Sequence, residues 1–209
     1  MRMKILLISD IHSSFGNLKR VLADASFDIV AIAGDITNFR SEDVKHADAI
    51  IAKFGYAYAV HGNCDYEEIL EYDLDAIEFV HARSVRVDDF VLHGVGGSGI
   101  TPFNTPSEYG EDEMEFFFSK FRLGERNFLL SHCPPKGILD RTRFGMHAGC
   151  EVIRRHADDF ELIMCGHIHE SPGVFRGSFV AVNPGPVFER RYALVETEGL
   201  NVELRKVQP

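Results

Sequence analysis

The chain has 209 residues, which favours a single domain (1–209) with enough apolar surface to bury a packed core. Its formal net charge of −10, from 22 Lys and Arg against 32 Asp and Glu, argues against nonspecific binding to nucleic acid or to an anionic membrane. Its apolar runs are too short to span a membrane, and its four cysteines lack the paired spacing of zinc sites. We therefore expect free thiols in a cytoplasmic protein.

The first half of the chain alternates strand and helix patterns. Apolar runs predict strands at 4–9, 29–33 and 56–60. Between them, helical spacing of apolar residues predicts one helix near 15–25 and another that begins near Ser41. This βαβαβ order predicts a parallel sheet with right-handed crossovers.

The middle of the chain changes character. Alternating apolar residues predict strands at 78–87 and 90–95, joined as a hairpin at Asp88 and Asp89. A loop with two prolines follows, and we expect Ser107 to cap an acidic helix that reaches about Phe121. We interpret residues 98–122 as a loop-helix insertion, either a lid or the surface of a possible homodimer.

The last part of the chain predicts a helix around 147–156, a strand that carries His167 and His169, and four antiparallel strands. These four strands are expected at 174–176, 179–182, 191–196 and 201–207, because each run is bounded by turn residues. We expect the strands within 78–95 and 173–207 to form a second sheet against the first.

Polar side chains follow five of the predicted strands. In open α/β sheets, ligands bind outside the carboxyl ends of the strands, so these side chains should converge on one crevice. Residues two apart in an extended segment also point the same way, which suits the pairs Asp10/His12 and His167/His169. The candidate metal ligands are Asp10, His12, Asp35, Asn63, His132, His167 and His169.

The chemistry of this set suggests divalent metal ions. All seven side chains offer nitrogen or oxygen and none offers sulfur, which suits Mn, Fe(II), Zn or Ni rather than Cu(I) or an iron–sulfur cluster. Seven ligands exceed the needs of one tetrahedral ion but suit two ions that clamp a phosphate. Each residue alone is equally compatible with an ordinary histidine or a helix cap, so the prediction rests on their joint order.

The ordered motifs resemble those of the calcineurin-like metallophosphoesterases. The motifs are Asp10-x-His12, Gly34-Asp35-x-x-Asn38, Gly62-Asn63-x-Asp65, His132 and Gly166-His167-x-His169, and the resemblance extends from Asp10 to about Pro186. Segments 96–98, 102–106 and 183–185 are similar to the small prokaryotic branch of Icc-related predicted phosphoesterases. The resemblance implies an α/β fold, a four-layer α/β-β/α sandwich of two mixed sheets flanked by helices.

The resemblance also implies roles for individual residues. Asp10, His12 and His169 would hold one metal ion, Asn63, His132 and His167 would hold the other, and Asp35 would bridge both. A metal-bound hydroxide would attack phosphorus in line, with Asn38 orienting part of the shell. Two divalent ions are implied, with Mn first and Fe, Zn, Ni or Mg as alternatives.

The chain departs from the family pattern at Cys64. Many phosphomonoesterases of this family carry His there as a candidate general acid, and Asp65 then lacks the His that it would orient. Because a thiol is a weaker donor, we expect a phosphodiester of a small molecule, or an activated aryl phosphate, as substrate. His61 is an alternative acid, although we favour a packing role for it.

Other assignments remain alternatives at this stage. Asn38 and Arg40 are candidate substrate-binding residues, and loop charges at Lys136, Arg141 and Arg143 are equally compatible with solvation. The alternative function is a catalytically weak metal-binding scaffold or protein-interaction module on the same fold. A nuclease is disfavoured, because the acidic chain lacks a basic stripe.

Overall fold

The computed structural model describes residues 3–208, of which residues 4–60 form the predicted βαβαβ unit. The elements are β1 (Lys4–Ile8), α1 (Phe15–Asp24), β2 (Ile29–Ala33), α2 (Asp43–Ile51) and β3 (Ala57–Val60). Strands β1 and β2 are parallel, and so are β2 and β3. The parallel arrangement predicted from the sequence is therefore confirmed.

Strands predominate in the rest of the described residues, which also contain two further α-helices. The elements are β4 (Ile77–Phe79), β5 (Arg83–Val87), β6 (Phe90–Val95), β7 (Ser98–Gly99), β8 (Glu108–Tyr109), α3 (Glu111–Phe118), β9 (Asn127–Ser131), α4 (Glu151–His156), β10 (Leu162–Met164), β11 (Gly173–Arg176), β12 (Val180–Asn183), β13 (Arg191–Glu196) and β14 (Asn201–Lys206). No helix within this described part of the chain is long and apolar enough to cross a membrane.

Two mixed six-stranded sheets pack face to face between helices. The first sheet has the order β14-β13-β1-β2-β3-β4, and the second has the order β11-β12-β10-β9-β6-β5. Alternate residues of β1 serve different layers: Leu6 contributes to the core under α1 and α2, and Leu7 contributes to the core between the sheets. A third core joins the second sheet to α3 and α4. The predicted four-layer sandwich is thus confirmed.

The predicted assignment of strands to sheets is wrong in part. β4, β13 and β14 belong to the first sheet, whereas the second sheet includes β9 and β10. The stretch predicted as one strand at 78–87 is divided, because β4 pairs with β3 and the chain then turns through Ala82 (φ 52°) into β5. The predicted hairpin is confirmed, with Val87 paired to Phe90.

Both helices on the second sheet begin later than the sequence suggested. The acidic helix begins at Glu111 rather than Ser107 and ends at Phe118. Its N-terminus is capped by the Glu113 carboxylate, which accepts a 2.9 Å bond from the amide of Gly110. Ser107 instead bonds to the loop after β3, and the other helix starts only at Glu151.

Candidate metal centre

The loops that follow five strands meet at one end of the sandwich. Backbone hydrogen bonds join them: the amide of Asp10 donates to the carbonyl of Gly34 (3.1 Å), and that of His12 donates to Asp35 (2.9 Å). In the second sheet, the amide of Gly166 donates to the carbonyl of His132 (2.9 Å), and across the sheets the amide of His167 donates to Oδ2 of Asp10 (3.2 Å). The crevice therefore lies between the ends of two sheets rather than at the edge of one.

The ligand pairs converge through turns, so the reasoning from extended strands is wrong. β1 ends at Ile8 and β10 ends at Met164, before either pair begins. Asp10 (φ 54°), His12 (φ 43°), Asp35 (φ 49°) and His167 (φ 66°) all have left-handed backbone torsions. A tight turn therefore directs the side chains of each pair. Residues other than glycine seldom adopt these left-handed torsions.

The turns approach one another closely, and Gly62 is required there. A Cβ atom at Gly62 would lie 2.0 Å from Oδ1 of Asp35, so a side chain at this position would displace a candidate ligand. The glycine of the Gly62-Asn63 motif therefore allows the loops after β2 and β3 to touch.

One group of side chains consists of Asp10, His12 and His169. Their ligand atoms all lie within 4.8 Å of one another. Nε2 of His169 is 3.1 Å from Oδ1 of Asp10, whereas the buried Nε2 of His12 has no hydrogen-bond partner among the described residues. A buried nitrogen lone pair beside a carboxylate fits a bound cation.

A second group consists of Asp10, Asp35 and His132, again within 4.8 Å, and Asn63 adjoins it. Nδ1 of His132 lies 2.7 Å from the carbonyl oxygen of Ala33, so this nitrogen carries a proton. Nε2 of His132 lies 2.9 Å from Oδ1 of Asn63. An imidazole nitrogen and an amide oxygen this close together can bind one divalent cation side by side.

The remaining ligand candidate, His167, lies beside His132 with a ring-centroid distance of 4.9 Å. Burial and the neighbouring His132 lower the pKa of His167 to about 4, which keeps the imidazole neutral. Burial opposes ionisation of Asp10, but the hydrogen bond and charge of His169 outweigh it and hold the Asp10 pKa below its ordinary value. The neutral imidazole of His167 and the ionised carboxylate of Asp10 are groups that bind divalent cations.

Asp65 and His61 are both fully buried. The Asp65 carboxylate accepts bonds from the amides of Gly62 (2.8 Å), Ile36 (3.0 Å) and Thr37 (2.7 Å), which ties together the loops after β2 and β3. His61 is fully buried with Nε2 2.8 Å from the Tyr109 hydroxyl, which supports the packing role favoured from the sequence.

Cys64 lies at the edge of the ligand cluster. Its Sγ is within 4.8 Å of ligand atoms of His12 and Asp35, and its amide donates to Oδ1 of Asp35 at 2.8 Å. Burial and the negative charge of Asp35 raise the pKa of the Cys64 thiol. Without a bound cation the sulfur therefore stays protonated.

The two candidate substrate-binding residues are exposed. The backbone amide of Asn38 donates to Oγ of Ser13 at 3.1 Å. Arg40 lines a surface pocket with Tyr66, Glu68 and Tyr72, and none of the seven candidate ligands lines that pocket. The structure thus does not bring Arg40 into the ligand cluster.

Two neighbours of the cluster were missed at the level of sequence. The Phe188 ring lies 5.7 Å from His12 and 5.0 Å from His169, measured between ring centroids. Oγ1 of Thr105 accepts a 3.0 Å hydrogen bond from the side-chain nitrogen Nδ2 of Asn63. Phe188 lies outside the quoted motifs. Thr105 belongs to segment 102–106, which was interpreted as a loop and as part of the resemblance, without a role for this residue.

Comparison with known proteins identifies the family. The model of the calcineurin-like phosphoesterase family matches residues 3–171, which include all seven candidate ligands, and the chain therefore belongs to this family. It is similar to the uncharacterized protein MJ1162 of Methanocaldococcus jannaschii, with 32% identity over 215 residues that cover 95% of this chain and 97% of that protein. Family membership and the ligand groups together support a metallophosphoesterase.

Solved structures of low sequence identity share the fold. TT1561 of Thermus thermophilus superposes with a TM-score of 0.74 at 18% identity, and all of both chains is covered. The phosphopantetheinyl hydrolase PptH of Mycobacterium tuberculosis superposes with a TM-score of 0.58 at 14% identity, covering 100% of this chain and 96% of that one. At these identities the likeness concerns the architecture alone.

Proposed function

We propose that the protein is a dinuclear metal-dependent phosphoesterase that hydrolyses a phosphodiester of a small molecule. The observation that carries this proposal is the meeting of nitrogen and oxygen ligands from five strand-end loops. Five of the seven candidates belong to overlapping groups within 4.8 Å, namely Asp10, His12, Asp35, His132 and His169. The other two, Asn63 and His167, lie beside His132. Family membership supplies the reaction class, which is hydrolysis of a phosphoester.

In this proposal Asp10, His12 and His169 hold one ion, and Asn63, His132 and His167 hold the other. Two divalent ions, with Mn first and Fe, Zn, Ni or Mg as alternatives, would supply the charge that activates water and stabilises the phosphate in the transition state. Asp35 lies between the groups, because its carboxylate oxygens are 3.4 Å from Nε2 of His12 and 3.6 Å from Nε2 of His132. This position supports a bridging role.

The neighbouring residues orient these ligands before any ion binds. Oγ of Ser9 donates to Oδ2 of Asp10 at 2.5 Å, and the carbonyl of Ala33 holds the His132 ring. Asp65 acts in the same way on the loops rather than on the substrate, since its oxygens are occupied by loop donors. Such fixed orientation reduces the cost of assembling the metal shell.

The preference for diesters rests on the absence of a good acid at Cys64. A protonated thiol is a weak hydrogen-bond donor, and the fully buried His61 has no access to a substrate. Leaving groups that depart without a proton are therefore favoured, as in aryl phosphates and activated diesters. The acidic charge of the chain favours a small substrate over a polyanion.

The test is hydrolysis of bis-p-nitrophenyl phosphate beside p-nitrophenyl phosphate, on metal-stripped protein resupplied with Mn, Ni or Zn. We expect metal-dependent turnover of the diester that Asn63→Ala and His167→Ala abolish. His46→Ala is the matched control, because this exposed histidine stacks on Phe15 outside the cluster. Two bound ions without turnover by any metal would overturn the catalytic proposal and favour a metal-binding scaffold or interaction module.

A further inference from the structure

A loop of the insertion makes a directed hydrogen-bond chain to the candidate ligand Asn63. Nδ2 of Asn63 lies 3.0 Å from Oγ1 of Thr105, which in turn lies 2.5 Å from Oε1 of Glu108. A hydroxyl has one proton, and a carboxylate accepts but does not donate. Thr105 therefore donates to Glu108 and accepts from the amide nitrogen of Asn63.

The carboxylate at the end of this chain is itself held firmly. Glu108 also accepts from the amide (2.8 Å) and hydroxyl (2.5 Å) of Thr101 and from the amide of Thr105 (2.9 Å). Partial burial raises the pKa of Glu108, but the hydrogen bonds from Thr101 and Thr105 outweigh burial and lower that pKa to about 2. The group is therefore an anion at neutral pH, and it sets the direction of the Thr105 hydroxyl.

Backbone contacts fix the loop against the same segment. The amide of Ser107 donates to the carbonyl of Asn63 (3.1 Å), and its hydroxyl donates to the carbonyl of Asp65 (2.6 Å). The loop thus contacts both the side chain and the backbone around Asn63, and these bonds hold it in place beside this ligand.

The orientation of the Asn63 amide matters because its oxygen and nitrogen have nearly the same shape. With Nδ2 directed to Thr105, Oδ1 faces Nε2 of His132 at 2.9 Å. A rotation by about 180° would instead direct an NH₂ group, which has no free lone pair, at a bound cation. We propose that Thr105 and Glu108 are positioning residues that select the metal-binding orientation of Asn63.

This inference rests on the proposed function only in that Asn63 binds an ion. Its test is calorimetric titration of metal-stripped protein with Mn, comparing wild type, Thr105→Val and Thr105→Ser. We expect two sites in wild type, and a loss of about 10–100-fold in affinity at one site in Thr105→Val. Thr105→Ser keeps the hydroxyl and should bind Mn with the wild-type affinity.

A second parent protein, Asn63→Asp, distinguishes a changed orientation of the Asn63 amide from a general disturbance of the loop. In Asn63→Asp either carboxylate oxygen can face the ion, so adding Thr105→Val there should leave Mn affinity unchanged. An equal loss in both parent proteins, or no loss in the Asn63 protein, would overturn the inference. The two proposals can also fail separately. If wild type binds two ions but hydrolyses nothing, and Thr105→Val still lowers Mn affinity only in the Asn63 protein, the proposed function is overturned and the inference stands.

Discussion

At the scale of single residues, the metal centre depends on backbone conformations that are costly for these side chains. Asp10, His12, Asp35 and His167 are all left-handed, and such torsions cost about 1–3 kcal/mol for residues other than glycine. Hydrogen bonds between loops hold each turn, including a 3.2 Å bond from the amide of His167 to Oδ2 of Asp10. The strained backbone torsions therefore occur at residues whose side chains point into the candidate metal centre.

The substitution Cys64→His tests the origin of the diester preference. An imidazole at this position would offer a proton to a departing alkoxide, since its ordinary pKa of about 6.5 is near neutral pH. We expect higher turnover of an alkyl phosphomonoester by Cys64→His than by wild type, with little change for bis-p-nitrophenyl phosphate. Unchanged turnover of the alkyl monoester with both metals bound would show that the Cys64 thiol does not cause the preference for diesters.

His81 gives a residue-level prediction for stability against pH. Burial lowers the His81 pKa from 6.5 to about 4, so the folded state keeps this ring neutral where the unfolded chain takes up a proton. Above about pH 6.5 the ring is neutral in both states and adds no pH dependence. As pH falls from 6.5 towards 4, protonation of the unfolded chain lowers the free energy of unfolding by up to ~1.4 kcal/mol per pH unit.

The comparison is with His81→Asn, whose amide oxygen retains an acceptor for the Gly96 amide, which donates to Nδ1 of His81 at 3.0 Å. In metal-free urea unfolding, we expect the wild-type free energy to decline relative to the variant between pH 6.5 and 4. Parallel curves for the two proteins would contradict this assignment.

At the scale of elements, one buried carboxylate explains why β4 joins the first sheet. Asp48, on α2, accepts bonds from the amides of Asp75 (3.1 Å), Ala76 (2.8 Å) and Ile77 (2.9 Å). These contacts attach the chain at the start of β4 to α2, which packs on the first sheet, so the alternating residues that follow are divided between two sheets. The alternation alone did not reveal this division, because both sheets demand the same period of two.

We expect Asp48→Ala to lower the free energy of unfolding by about 2–3 kcal/mol, because buried amides would lose a charged acceptor. Asp73→Ala is a matched control at an exposed carboxylate and should change stability by less than about 0.5 kcal/mol. Chemical denaturation of the metal-free proteins measures both values. Similar losses for the two variants would mean that the Asp48 contacts contribute little.

At the scale of the whole molecule, the candidate ligands come from both sheets. Asp10, Asp35 and Asn63 follow strands of the first sheet, and His132 and His167 follow strands of the second. An ion bound by members of both groups would connect the two layers of the sandwich. Metal binding is thus expected to favour the folded state as well as to support catalysis.

At a free metal concentration 100 times the dissociation constant, binding should raise the free energy of unfolding by about 2.7 kcal/mol per site. Thermal unfolding with Mn and with a chelator measures the difference. His167→Ala should show a smaller stabilisation than His46→Ala, which retains every candidate ligand. Equal unfolding midpoints with Mn and with chelator in wild type would contradict stabilisation by the metal.

The sequence by itself determined which polar side chains follow the buried strands, because apolar periodicity and the residues that end each run are local properties. It also determined the bounds of several strands, as at 29–33 and Arg191–Glu196. Only the tertiary structure decided which sheet receives β4, β13 and β14, since pairing partners lie far apart in the chain. The tertiary structure also decided the left-handed backbone torsions of four candidate ligands and the contact of Thr105 with Asn63. Both depend on the packing of loops that are distant in the sequence.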